Sequence, residues 1–152
     1  MTSIAVLGAG AFGTALAISL ARDGRDVSLW GRNIVDIAGM EANGTTGEKL
    51  PGLMLPPALK LEKDLGAITA KTLLIAVPMA SLPEFTAQPA PPNARAVVAC
   101  MKGIDPETGF TPTRILKNYA SNTTTAVLTG PSFAIDIATG LPTALTLACV
   151  DE

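Results

Sequence analysis

Residues 3–22, SIAVLGAGAFGTALAISLAR, leave this chain few ways to fold. Ile4, Ala5, Val6 and Leu7 form a short, uninterrupted apolar run, the pattern of a strand buried on both faces of a parallel sheet. Gly8, Gly10 and Gly13 follow at the spacing G-x-G-x-x-G, and residues 14–22 then read as an Ala/Leu-rich helix. Each glycine has its own reason. Gly8 permits the tight turn out of the strand, Gly10 leaves the backbone open to a close neighbour, and Gly13 lets the helix lie against the sheet. A helix beginning there aims unsatisfied N–H groups, and the positive end of its dipole, at whatever occupies the turn. Glycines at this spacing mean little alone. Strand directly before and helix directly after, they point to a dinucleotide pyrophosphate.

The rest of the sequence fits one α/β domain over residues 1–152. Residues 26–30 read as a second strand after Gly24 ends the helix, which makes residues 4–30 a β-α-β unit. Residues 33–43 have helical spacing, with Asp36 inside, and Gly44 and Gly47 stop them. Residues 49–59 carry three prolines and a glycine and read as a loop. Strands are expected at 59–61, 72–77, 94–100, 125–128 and 141–149, and helices at 64–70, 111–120 and 133–139, with a turn or helix start over 79–85 and a proline-rich loop over 88–93. The alternation predicts a doubly wound, mostly parallel sheet.

Ligands of such sheets collect at the carboxyl ends of the strands. Pro78, which ends the third long strand, would therefore face a cofactor. Lys102 stands past the apolar strand 94–100, where a compact cation can meet a phosphate or a polarised oxygen. Ser132 reads either as the N-cap of the helix at 133–139 or as a donor to an anionic substrate. The second strand ends in Gly31-Arg32-Asn33 rather than in the acidic residue that takes a ribose diol. No carboxylate in that stretch repels a 2′-phosphate, and Arg32 can pair with one through its fork of donors. NADP(H) is thus expected ahead of NAD(H).

Composition excludes other classes. With 11 basic and 13 acidic residues and no basic block, nucleic acid is not an expected partner. No run is long enough to cross a bilayer, the N-terminus has no leader pattern, and Cys100 and Cys149 are far apart, which together predict a reduced, cytoplasmic protein. The chain has no histidine, so imidazole supplies no metal ligand and no general base, and no metal is expected.

Taken in order, several segments resemble the N-terminal part of the bacterial NAD(P)-dependent glycerol-3-phosphate dehydrogenases: GAGAFGTALA at 8–17, LWGRN at 29–33, LPGLMLP at 50–56, AVP at 76–78, KGI at 102–104 and TGPSFAIDIATGLPTAL at 129–145. The first is common to many Rossmann enzymes; the last is far more specific. The resemblance implies reduction of dihydroxyacetone phosphate to sn-glycerol 3-phosphate for phospholipid synthesis. It implies cofactor contacts at Ala11, Phe12, Arg32, Asn33 and Ala134, contact of Lys102 with cofactor and substrate, and substrate contacts at Gly130 and Ser132. Ala11 stands where the family often has serine, so only its backbone serves. The family's second half is helical and carries the proton-transfer lysine. Nothing here matches that half, so no residue of this chain is expected to be catalytic; Lys102 is at most a weak stand-in. The complete enzyme is expected to be a homodimer, and the apolar residues of 141–150 would favour self-association if nothing covered them. The rival readings are a ketopantoate reductase or hydroxyacid dehydrogenase type of Rossmann enzyme, against which the GPSFA and LPG segments speak, and a stand-alone NADP(H)-binding module.

Overall fold

The computed structural model describes residues 3–149. Its centre is a seven-stranded sheet. The strands are β1 (Ile4–Leu7), β2 (Val27–Trp30), β3 (Lys60–Glu62), β4 (Thr72–Ile75), β5 (Ala96–Ala99), β6 (Thr124–Thr129) and β7 (Thr146–Cys149). They lie in the order β3-β2-β1-β4-β5-β6-β7, every pairing parallel except that of β6 with β7. The helices are α1 (Ala11–Arg22), α2 (Ile34–Asn43), α3 (Leu82–Thr86), α4 (Pro112–Tyr119) and α5 (Ala134–Thr139).

The order reverses between β1 and β4. From β1 the chain works outward to β3, then returns to build β4 on the other side, so the loops leaving β1 and β4 diverge and open a crevice at their carboxyl ends. Side chains alternate across the sheet and are buried on both faces. Ala5 and Leu7 join Leu73, Ile75, Val97, Leu82, Phe85 and Leu116 under α3 and α4. Val6 joins Ile18, Val27, Leu29, Ile37 and Ile137 under α1, α2 and α5. Ile18 is fully buried, and such burial of one side chain stabilises by about 1.5–3 kcal/mol.

Several boundaries differ from the sequence expectation. α1 starts at Ala11 rather than at residue 14, because Gly10 is its N-cap and Gly13 already lies in its first turn. Residues 64–70 hold only a 3₁₀ turn, Leu65–Ala67. There the Asp64 carboxylate accepts from the Gly66 N–H at 2.8 Å, Gly66 is a poor helix former, and the backbone turns extended at Ile68, with φ −69° and ψ 118°, which ends the turn. A second 3₁₀ turn, Met79–Ser81, leads into α3. The last strand spans Thr146–Cys149, not the whole of 141–149, and all its residues are exposed; Val150, the end of the apolar stretch singled out above, is outside the described residues.

Two half-buried acids give the fold an alkaline limit. Burial pushes the Cys100 thiol from 9.0 up to about 12 and the Tyr119 phenol from 10.0 up to about 12. The unfolded chain releases these protons from about pH 9 upward while the folded chain keeps them, so proton binding favours the folded state less and less through that window. Urea unfolding midpoints are expected to fall between pH 9 and 12, and the doubly substituted Cys100→Ala, Tyr119→Phe chain to lose part of that slope.

Candidate nucleotide-binding site

The crevice between the ends of β1 and β4 is a cleft of about 650 Å³. Its floor is the glycine turn. The Gly8 N–H donates to the Trp30 carbonyl and the Ala76 N–H to the Leu7 carbonyl, both at 2.8 Å, so the sheet ladder continues up to the lip of the cleft. Gly8 has φ +126°, and a Cβ there would meet the Ala76 carbonyl oxygen at 2.5 Å. At Gly13 a Cβ would stand 2.0 Å from the Gly8 carbonyl oxygen and 3.0 Å from Ala76 Cβ. Gly10 is different: φ is −74°, and nothing lies within 4 Å of its would-be Cβ. The first α1 hydrogen bond runs from the Thr14 N–H to the Gly10 carbonyl at 2.9 Å. The N–H groups of Ala11, Phe12 and Gly13 therefore have no carbonyl within the helix to bond. Open backbone at Gly10 beside these donors fits a pyrophosphate.

One wall follows β2. Trp30, Gly31, Arg32 and Asn33 line it. Asn33 is the N-cap of α2, its side chain accepting from the Val35 N–H at 3.0 Å. The opposite wall follows β4 and carries Val77, Pro78, Ser81, Glu84 and Phe85. Trp30 and Phe85 meet with ring centroids 6.0 Å apart, so the cleft has an aromatic base under its outer end.

Charges ring the cleft in pairs. Arg32 Nη1 donates to Glu84 Oε2 at 2.7 Å. Lys49 Nζ donates to the Ala9 carbonyl at 3.2 Å and lies 3.5 Å from Asp36 Oδ2. The sequence expectation that no carboxylate stands at the end of β2 holds, but it does not leave Arg32 unopposed. The stretch after β2 holds none, but α3 supplies Glu84 from 52 residues further on. Sequence reasoning also missed Lys49. It sits in the 3₁₀ turn Gly47–Lys49, inside a loop that the Thr45–Met54 bridge folds back on itself. Its local sequence carries no signal that its side chain would reach the glycine turn.

The cleft gathers Gly8, Gly10, Ala11, Phe12, Arg32, Asn33 and Pro78 of the expected site residues, with Gly13 packed behind it. Lys102, Gly130, Ser132 and Ala134 are not among its walls. They follow β5 and β6 on the same edge of the parallel sheet, as an open surface. Lys102 is exposed, and its neighbour Gly103 lies near Met79, the residue after Pro78. At Gly130, with φ +157°, a Cβ would be 2.7 Å from the Ala144 carbonyl oxygen. Ser132 is not the N-cap of α5. Phe133 holds that position with no side-chain cap, which leaves the Ser132 hydroxyl uncommitted to the helix.

Among the described residues no three His, Cys, Asp or Glu side chains gather as a metal site, and both cysteines are free. No helix among them is long and apolar enough to cross a membrane.

A doubly wound parallel sheet, its crevice at the strand reversal floored by G-x-G-x-x-G and a helix N-terminus, defines a Rossmann-type nucleotide-binding domain. The family described as "NAD-dependent glycerol-3-phosphate dehydrogenase N-terminus" matches residues 3–152. The chain belongs to this family. It is 51% identical over 152 residues to a protein of Paracoccus denitrificans named glycerol-3-phosphate dehydrogenase [NAD(P)+], covering 98% of this chain and 46% of that one. It is 49% identical over 148 residues to the protein of that name from Jannaschia sp., covering 96% and 45%. The structure superposes with a TM-score of 0.90 on a crystal structure of glycerol-3-phosphate dehydrogenase from Coxiella burnetii, at 32% identity over 99% of this chain and 47% of that one. The chain spans about half the length of the curated relatives it matches.

Proposed function

We propose that this chain is the cofactor-binding half of an oxidoreductase that moves a hydride between NAD(P)H and dihydroxyacetone phosphate, making sn-glycerol 3-phosphate for glycerophospholipid synthesis. The observation that carries the reading is the open backbone at Gly10, next to the three unbonded N–H groups of α1, in a chain of this family. The cofactor, when bound, supplies the hydride. The chain's residues bind and orient. Gly8, Gly10, Ala11, Phe12 and Gly13 take the pyrophosphate, Trp30 and Phe85 lie under the adenosine end, and Arg32 and Asn33 take the ribose with its 2′-phosphate. NADP(H) is preferred and NAD(H) is accepted.

Along the open edge, Pro78 and Ala134 belong to the nicotinamide end, Lys102 to both cofactor and substrate, and Gly130 and Ser132 to the phosphate-bearing substrate. The alcohol oxygen also needs a proton source. The chain has no histidine, and we assign that role to a lysine of a helical second domain, which would close over the edge. Residues 1–152 form one Rossmann domain on this reading, and the complete enzyme is a cytoplasmic homodimer without a metal.

Titration with NADPH and with NADH, followed by fluorescence of Trp30, the only tryptophan, tests the assignment. Saturable quenching by both, tighter for NADPH, is expected, with little or no turnover of dihydroxyacetone phosphate by this chain alone. Absence of quenching and of calorimetric heat with either cofactor would overturn it.

A further inference from the structure

Glu84 bonds to Arg32 across the mouth of the cleft, and this contact has a consequence for cofactor choice. The two residues come from opposite walls, Arg32 after β2 and Glu84 from the first turn of α3. Their 2.7 Å contact therefore spans the crevice that an adenosine would enter. Both side chains are about two-thirds exposed, at 68% and 70%. An exposed pair of this kind is held weakly and exchanges partners readily.

We propose that Glu84 is a specificity-determining residue which sets how far this site prefers a 2′-phosphate over a free ribose diol. The inference rests on the cofactor reading given above. Its physical basis is competition for one guanidinium. A 2′-phosphate that pairs with Arg32 competes with the Glu84 carboxylate for the guanidinium and then sits near it, like charge facing like charge. A ribose diol has no such conflict. It donates hydroxyl hydrogens, a carboxylate accepts them, and Glu84 can do so while still paired with Arg32. Glu84 thus fills from α3 the place that an acid at the end of β2 fills in NAD-selecting sheets. Arg32 pulls toward NADP(H) and Glu84 toward NAD(H), so the pair narrows the discrimination that Arg32 alone would give.

The test is a set of dissociation constants for NADPH and NADH, measured by calorimetry on the unsubstituted chain, Glu84→Gln, Arg32→Ala and the double variant. Adenosine 2′,5′-bisphosphate and 5′-AMP serve as shorter probes that differ only in the 2′-phosphate. Glu84→Gln is expected to raise the NADPH-to-NADH affinity ratio about three- to tenfold. The same substitution in the Arg32→Ala background is expected to shift the ratio less, since competition for Arg32 is then gone and only the direct repulsion of a phosphate and the bonding of a diol remain. An unshifted ratio in Glu84→Gln overturns the inference and leaves the cofactor reading standing. An equal shift in both backgrounds overturns it too, because competition for Arg32 would then contribute nothing. If the unsubstituted chain binds neither dinucleotide, the cofactor reading fails and the inference falls with it.

Discussion

Gly13→Ala is expected to destabilise the whole fold, by about 3–5 kcal/mol. Total stabilities of domains are only about 5–15 kcal/mol, so much of that reserve goes in one methyl group. The added Cβ would stand 2.0 Å from the Gly8 carbonyl oxygen and 3.0 Å from Ala76 Cβ. No rotamer relieves the first clash, because both partners are held by backbone. Gly8 is bonded into the sheet through Trp30, and Ala76 through Leu7. Relief requires α1 to lift from the sheet, and Ala15, Ala17, Ile18 and Ala21 would leave their contacts with it. Thermal and urea unfolding of the variant should show a midpoint lower by about 10 °C or more. A midpoint within a degree or two of the parent would mean that the turn and the helix are not in this contact.

Whatever depends on neighbours in sequence was legible beforehand. The strand, the turn and the helix of residues 4–22 follow from an apolar run and three glycines, and their geometry bears that out, except that α1 starts three residues early on Gly10. Seven of the expected site residues line one cleft, because each is local to the ends of β1, β2 or β4. The failures have a common physical origin. Glu84 meets Arg32 across 52 residues and Lys49 meets Ala9 across 40. Each contact is made by a flexible side chain that the fold, not its own segment, brings into place. The cap of α5 is missed by one residue for a related reason. Ser132 has the chemistry of a cap, but the backbone turns extended at Phe133, whose side chain caps nothing. For residues 64–70 the helical spacing is undone by Gly66 and by the extended backbone at Ile68.

Gly10→Val separates the folding role of the motif from its binding role. Three residues before Gly13, the same kind of change is expected to leave the fold standing and to weaken dinucleotide binding about 10- to 100-fold, the loss of one or two charge-assisted hydrogen bonds. The backbone at Gly10, φ −74° and ψ 178°, is extended and open to any residue, and nothing lies within 4 Å of a Cβ there. The cost to the protein is confined to a poorer helix N-cap, about 1 kcal/mol. The new methyl groups instead project into the space from which the N–H groups of Ala11, Phe12 and Gly13 face the cleft. A pyrophosphate then stands off from those donors by the width of a side chain, and charge-assisted bonds do not survive such a gap. Circular dichroism and the urea midpoint should remain near those of the parent while calorimetry with NADPH records the loss. Retained affinity with a retained fold would place the phosphates elsewhere and remove the main support for the site. Lost stability would mean that Gly10, like Gly13, belongs to the packing of the turn.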